Sequence, residues 1–235
     1  MGLFSKKNYI ETIELSKKIS LAKDEVHKVC LTKPILNGLK AKVCLAIDYS
    51  GSMSDLYDNG TVQSIFEKML PLAMEFDDDW TMEAWKFDNG TKRLKDVTPQ
   101  NIANYVKKNI NGSMGGTNYA PVINEIVDFY KNSKTPVYVI FITDGDNWDK
   151  DDATAAIQAA SKLPIFWQFV GLGNNGYSYL KYLDDMTGRY VDNADFFEVR
   201  NANDITYFNL LNEFPSWLSN DKVKSMIKYI SMKGR

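Results

Sequence analysis

Between residues 8 and 31, Leu15, Ile19, Ala22, Val26 and Val29 recur at spacings of four, three, four and three, with charged residues between them. That is one apolar stripe on a helix, and it must lie against the following domain or a partner. Lys33-Pro34 ends the pattern, and Asn37-Gly38 makes a turn. From Lys42 onward, short apolar runs alternate with stretches of helical spacing. Val43–Ile47, Thr81–Phe87, Arg93–Val97, Val137–Thr143, Ile165–Val170 and Phe196–Val199 read as strands. Val137–Thr143 is apolar on both faces, as a central parallel strand requires. Helical spacing covers Val62–Phe76, Pro99–Ile110, Pro121–Tyr130, Asp151–Lys162, Tyr177–Met186, Ile205–Leu218 and Val223–Met232. Such alternation with short links predicts an α/β fold: a doubly wound, Rossmann-like, mostly parallel sheet with helices on both faces. The organisation expected is an N-terminal helical extension over 1–38, one domain over 39–218 and a C-terminal helical extension over 219–235.

The 235 residues are 44% hydrophobic and 25% charged, enough apolar material for one large core without disulfides or structural metals. With 28 basic and 30 acidic residues the net charge is −2, so no overall basic excess attracts nucleic acid. No apolar run approaches the roughly 18 residues of a membrane span, and none resembles a signal peptide, so a cytoplasmic location is expected. Gly2 suggests myristoylation, but Lys6 stands where that motif has Ser or Thr. The triplets at Asn59, Asn89 and Asn111 then read as Asn-Gly turns rather than glycosylation sites. Cys30 and Cys44 form no CxxC pair and read as buried free thiols. His27, the one histidine, sits among charges on a helix surface. Histidine-dependent triads, dyads and multi-histidine zinc sites are thereby disfavoured.

Ligand sites in doubly wound sheets lie beyond the carboxyl ends of the strands. There the first strand runs into Asp48-Tyr49-Ser50-Gly51-Ser52, and the central strand ends in Thr143-Asp144-Gly145-Asp146. Between them Gly115-Gly116-Thr117 forms a glycine-rich loop ahead of a proline-started helix. Asp48 and Asp144 supply negative charge, and Ser50, Ser52 and Thr117 supply neutral hydroxyl oxygens. This donor set suits a small hard cation: Mg²⁺, with Mn²⁺ or Ca²⁺ as alternatives. The plainer reading is that these side chains only cap helices.

The D-x-S-x-S, Thr and T-D-G combination resembles the von Willebrand factor A (vWA) domain and its metal-ion-dependent adhesion site (MIDAS). The resemblance implies that Ser50, Ser52 and Thr117 bind the metal directly while Asp48 and Asp144 act largely through bound water. It also implies an open coordination position for an acidic side chain of a protein partner. Phe76-Asp77-Asp78-Asp79, Gly115–Val122, Phe141–Asn147, Leu163–Gly171, Val191–Ala194 with Phe196-Phe197, and Glu213–Leu218 extend the likeness. They are similar to the vWA domain at the C-terminus of TerF-type tellurium-resistance proteins. Longer members of that group carry a calcium-binding TerD-type domain in front. The short stretch before Lys42 leads to the expectation that it is absent here, and functions that depend on it are not carried over.

Other motifs compete with plain structural roles. Gly171-Leu172-Gly173-Asn174-Asn175-Gly176 fits GxGxxG but follows a late strand, where a turn is expected rather than a dinucleotide site. Asp77–Asp79 is expected to cap a helix and face solvent, with a second cation site as the alternative. The acidic run at Asp146, Asp149, Asp151 and Asp152 reads as a solvated helix start, with tuning of partner choice as the alternative. Trp148 is either structural or an exposed partner anchor. The function expected is metal-dependent protein–protein interaction in a tellurium-resistance or stress-response system, without catalysis. The alternative is a Mg²⁺-dependent hydrolase or phosphotransferase working through the same site.

Overall fold

The computed structural model describes residues 3–233; Gly2 and its myristoylation reading lie outside them. Helix α1 (Leu3–Leu31) leads into β1 (Lys42–Asp48), then α2 (Ser54–Asp58) and α3 (Thr61–Phe76). A hairpin of β2 (Glu83–Phe87) and β3 (Thr91–Arg93) follows, then α4 (Tyr105–Asn109) and α5 (Ala120–Tyr130). Next come β4 (Val137–Thr143), α6 (Lys150–Ala160), β5 (Ile165–Leu172), α7 (Ser178–Asp185) and β6 (Ala194–Val199). Helices α8 (Tyr207–Leu210), α9 (Phe214–Ser219) and α10 (Asp221–Lys233) close the chain. The sheet has six strands in the order β3-β2-β1-β4-β5-β6. All neighbours are parallel except β2 and β3.

Alternation along the central strands divides the core into two layers. Val43, Leu45 and Ile47 of β1, with Tyr138, Ile140 and Ile142 of β4, face α1, α3, α8 and α9. Cys44 and Ala46, with Val137, Val139 and Phe141, face α5, α6 and α7. Helices therefore cover both faces, as the strand–helix alternation predicts. The stripe on α1 docks on this same domain: Ile19 and Val26 are buried in its core and Leu15, Ala22 and Val29 pack against it. Polar clamps to α3 flank the stripe, Lys18 with Glu67 at 2.8 Å and His27 with Glu75 at 2.7 Å. Both cysteines are free and buried. Burial pushes the Cys30 thiol up to about 12 and that of Cys44 well above its ordinary value, so neither is a thiolate at neutral pH.

Three elements differ from the pattern-based expectation. Only Tyr105–Asn109 of the stretch from Pro99 is α-helical. Asn101 draws the chain into a local turn, accepting from the Thr98 N–H at 2.9 Å and donating to the Asp96 carbonyl at 2.8 Å. Asn104 then takes a left-handed φ of 56°, which no continuing helix tolerates. The strand expected at Arg93–Val97 ends at Arg93, because the turn at Asp88–Gly90 sets Thr91–Arg93 opposite Trp85–Phe87. The helix expected over Ile205–Leu218 breaks at Leu211, and Pro215 starts a second one in its first turn.

At the far edge of the sheet, burial raises the Asp184 carboxyl to about 7, with the charges of Asp195, Asp185 and Asp192 adding to it. The folded state then holds a proton that the unfolded chain releases, so this site stabilises most at low pH. Its contribution is lost as pH rises from about 4 through about 7. We expect Asp184→Asn to stabilise the protein at pH 8 by roughly 1–2 kcal/mol while leaving it unchanged at pH 4. Chemical denaturation at the two pH values reads this directly.

Candidate metal centre

In this strand order the winding reverses between β1 and β4, and the loops leaving their carboxyl ends diverge to form a crevice. The parallel register sets Ile47 beside Ile142, which brings Asp48 and Thr143 together at its floor. Asp48 is fully buried. One carboxylate oxygen accepts from the Ser50 N–H at 2.7 Å, and the other accepts from the Thr143 hydroxyl at 2.6 Å. Tyr57 donates its hydroxyl to the Asp48 carbonyl at 2.8 Å. The Ser50 and Ser52 hydroxyls lie 3.1 Å apart, and Ser52 donates to Asp144 Oδ1 at 2.7 Å. Four of the five candidate residues thus form one hydrogen-bonded chain.

Among the described residues Thr117 joins no side-chain hydrogen bond of this group; its loop is tied to the group through the backbone. Gly115 bridges to Ser50 and accepts from the Gly51 N–H at 3.0 Å, while the Thr117 carbonyl accepts from the Trp148 N–H at 3.0 Å. Its loop is therefore held between the segments that carry Ser50 and Asp144, and Thr117 itself is buried. Asp149 closes the assembly. Its carboxylate accepts from the Tyr119 and Ala120 N–H groups at 2.9 and 2.7 Å, capping α5 from another loop. Tyr119 in turn donates to the Gly145 carbonyl at 2.5 Å.

Several of these supports were invisible as such in the sequence. Asp149 does stand at the start of its own helix α6, as expected, but its side chain caps α5 across space instead. Thr143 and Tyr57 support Asp48, and only the T-D-G motif hinted at the former.

Burial raises the Asp48 carboxyl to about 6, and the Asp144 charge adds to this, while the hydrogen bonds from Thr143 and Ser50 oppose it. Burial likewise raises Asp144, against its bond from Ser52. Neither carboxylate enters an ion pair among the described residues, so their partners are hydroxyl and amide donors. Two desolvated carboxylates beside the Ser50 and Ser52 hydroxyls, with no ion pair among the described residues, are a donor set that fits a hard divalent ion. Among the described residues no three His, Cys, Asp or Glu side chains group to hold a metal. Any cation here rests on hydroxyls and water beyond the two carboxylates. A cleft of about 710 Å³ opens from Ser52 and Asp144 past Asn175 toward Arg200.

Other candidates find structural roles. Asp77 and Asp79 pair with Lys42 at 2.6 and 3.6 Å, and Asp78 pairs with Lys40, so this run ties α3 to β1. In the GxGxxG stretch, a Cβ on Gly171 would lie 2.7 Å from the Tyr177 ring, and Gly173 and Gly176 turn at φ 95° and 75°. Packing and turn geometry account for all three glycines. Trp148 is 84% exposed, which excludes a role in the core.

A family model for the vWA domain found at the C-terminus of TerF matches residues 40–227. The chain belongs to this vWA-TerF-like family. It is similar to the uncharacterized protein YcbR of Bacillus subtilis (strain 168), 36% identical over 222 residues that cover 89% of this chain and 90% of YcbR. Copine-C of Dictyostelium discoideum is 32% identical over 83 residues, 33% of this chain and 15% of Copine-C. Among solved structures, the von Willebrand factor type A protein from Catenulispora acidiphila superposes with a TM-score of 0.53 at 15% identity, over 80% of this chain and 43% of that one. Proximal thread matrix protein 1 from the mussel byssus, with a zinc occupied MIDAS motif, gives 0.52 at 13% identity, over 83% of this chain and 46% of that one. This chain spans less than half of either solved chain, and at these identities the likeness speaks for the fold alone. No helix among the described residues is long and apolar enough to cross a membrane.

Replacing Asp149 leaves two N–H groups at the start of α5 without their carboxylate. Asp149→Ala should cost about 1–2 kcal/mol in denaturant unfolding, with Asp149→Asn in between.

Proposed function

We propose that this vWA-TerF-like domain is a metal-dependent protein-interaction module whose Mg²⁺ site is formed by Asp48, Ser50, Ser52, Thr117 and Asp144. The observation that carries this reading is the pair of desolvated carboxylates, Asp48 held by the Ser50 N–H and Asp144 by the Ser52 hydroxyl, joined through the paired serines without an ion pair. Ser50, Ser52 and Thr117 would hold the ion directly, with the two aspartates around it. A bound Mg²⁺ supplies a concentrated positive charge with an open position for a partner's acidic side chain. The chain's own part is to keep those oxygens converged and the floor of the site dry: Thr143, Tyr57 and the Ser50 N–H hold Asp48, and Ser52 orients Asp144. Trp148, exposed on the loop that follows Asp144, offers the partner an apolar surface beside the site. We place this activity in a cytoplasmic, tellurium-resistance-type stress response on the strength of the family motifs, and we assign no catalysis.

Isothermal calorimetry with Mg²⁺ on wild type and on Ser50→Ala/Ser52→Ala tests the site. We expect saturable binding by the wild type and none by the double variant; equal binding by both would refute the assignment. A partner that binds the wild type should be released by EDTA, and retention at full affinity in EDTA would refute the bridging role. Turnover of a phosphoester that disappears in Asp144→Ala would favour the hydrolase or phosphotransferase instead.

Trp148→Ala should weaken the Mg²⁺-dependent partner complex at least about tenfold, the scale of a contact hot spot, with a much smaller effect on Mg²⁺ affinity itself. Surface plasmon resonance on the same partner measures it.

A further inference from the structure

The three direct ligands proposed above come from two loops, and Thr117 is the one whose position does not follow from the D-x-S-x-S turn. Besides the Gly51–Gly115 and Trp148–Thr117 bonds, the β2–β3 hairpin holds its loop. Asn89, at the tip of that hairpin, accepts the Gly116 N–H on its side-chain oxygen at 3.0 Å. Its backbone carbonyl accepts from the side-chain amide of Asn118 at 3.0 Å, and the carbonyl of Asp88 accepts from the Asn118 N–H at 2.8 Å. Three hydrogen bonds therefore tie Gly116 and Asn118, the two neighbours of Thr117, to one turn.

The two glycines carry the imprint of the same contact. A Cβ on Gly116 would lie 2.6 Å from the Asn89 side-chain oxygen, and one on Gly115 would lie 2.9 Å from its side-chain nitrogen. A side chain at Gly115 or Gly116 would therefore displace the Asn89 amide from the loop. Neither glycine adopts a positive φ, so the close approach of Asn89 rather than backbone freedom is what glycine serves here. The indole nitrogen of Trp148 would lie 3.4 Å from the Cβ on Gly116, so both side chains border the space beside Gly116.

We infer that Asn89 is a positioning residue for the metal centre: it sets the Gly115-Gly116-Thr117 loop, and through it the reach of Thr117 toward the cation. The inference rests on the Mg²⁺ site proposed above and assigns its regulation to a sheet-edge turn that contributes no ligand. Neutral hydroxyl ligands gain little from long-range attraction, so their contribution depends on being held in place beforehand.

The test compares wild type, Asn89→Ala and Asn89→Asp, the last of which keeps the acceptor oxygen. Mg²⁺ affinity is measured by calorimetry, the melting temperature in EDTA, and Gly116 amide exchange by NMR without metal. Asn89→Ala should lose about tenfold in Mg²⁺ affinity, a magnitude typical of residues that orient metal ligands, with its melting temperature in EDTA close to wild type. Asn89→Asp should bind at least as well as wild type. In the wild type the Gly116 amide should be protected from exchange, and that protection should vanish in Asn89→Ala. Unchanged affinity in Asn89→Ala, or an unprotected Gly116 amide in the wild type, overturns the positioning role. If instead the wild type binds no Mg²⁺ while Gly116 is protected, the metal reading fails and the clamp stands as structure alone. Should Asn89→Ala not fold, Asn89→Asp and wild-type exchange still decide between these outcomes.

Discussion

A carboxylate without a cation is buried at the floor of the crevice, and the surrounding architecture is arranged to make that tolerable. Asp48 ends β1 exactly where β1 and β4 part, in a position closed to water. An unpaired buried charge is costly, and the protein answers with hydrogen-bond donors rather than a lysine or arginine. The Ser50 N–H and the Thr143 hydroxyl supply them from two loops that only the β1–β4 pairing brings together. The donors offset part of the cost, yet the carboxyl stays raised to about 6. This residual cost is what a divalent ion at the same place would relieve.

The remaining parts of the centre follow as successive attachments to that pair of strands. Ser50 and Ser52 extend from Asp48 along one turn and reach Asp144 on the other loop. The glycine loop is sewn to the first turn through Gly115 and to the second through Trp148. Asp149 then fastens the second loop to the start of α5, the helix that the glycine loop enters. Each loop contacts the other two, so displacement of one is felt by all, and no ligand position is set by its own segment alone.

What the sequence made legible and what it hid divide along a physical line. Val137–Thr143 was readable to the residue because burial on both faces leaves an unbroken apolar run that nothing else produces. The five candidate residues were readable because each stands at the carboxyl end of such a run or in the glycine loop between them. The stretch from Pro99 misled because Thr98-Pro99 has the composition of a helix start, while Asn101 and Asn104 offer the backbone a local turn that competes with it. The role of Asp149 was hidden for a different reason: a cap supplied across space leaves no trace in the spacing of its own helix. Asn89 was read as half of an Asn-Gly turn, which it is, but its contact with Gly116 spans 27 residues of sequence.

These hidden contacts are the ones a hydroxyl-rich centre depends on most. A site of several carboxylates attracts a cation over a distance and tolerates some looseness, because charge does much of the binding. In the proposed centre two carboxylates would roughly balance a divalent ion, and the neutral oxygens of Ser50, Ser52 and Thr117 would add affinity only where their placement is prepared in advance. Preparation of that kind cannot come from the ligands, which are short side chains on turns. It has to come from residues that bind no metal, such as Asn89 over the glycines, Thr143 on Asp48 and Asp149 on α5. On the proposed reading the D-x-S-x-S, Thr and T-D-G residues would supply the ligands, and the contacts among the three loops would determine how tightly the centre could hold an ion.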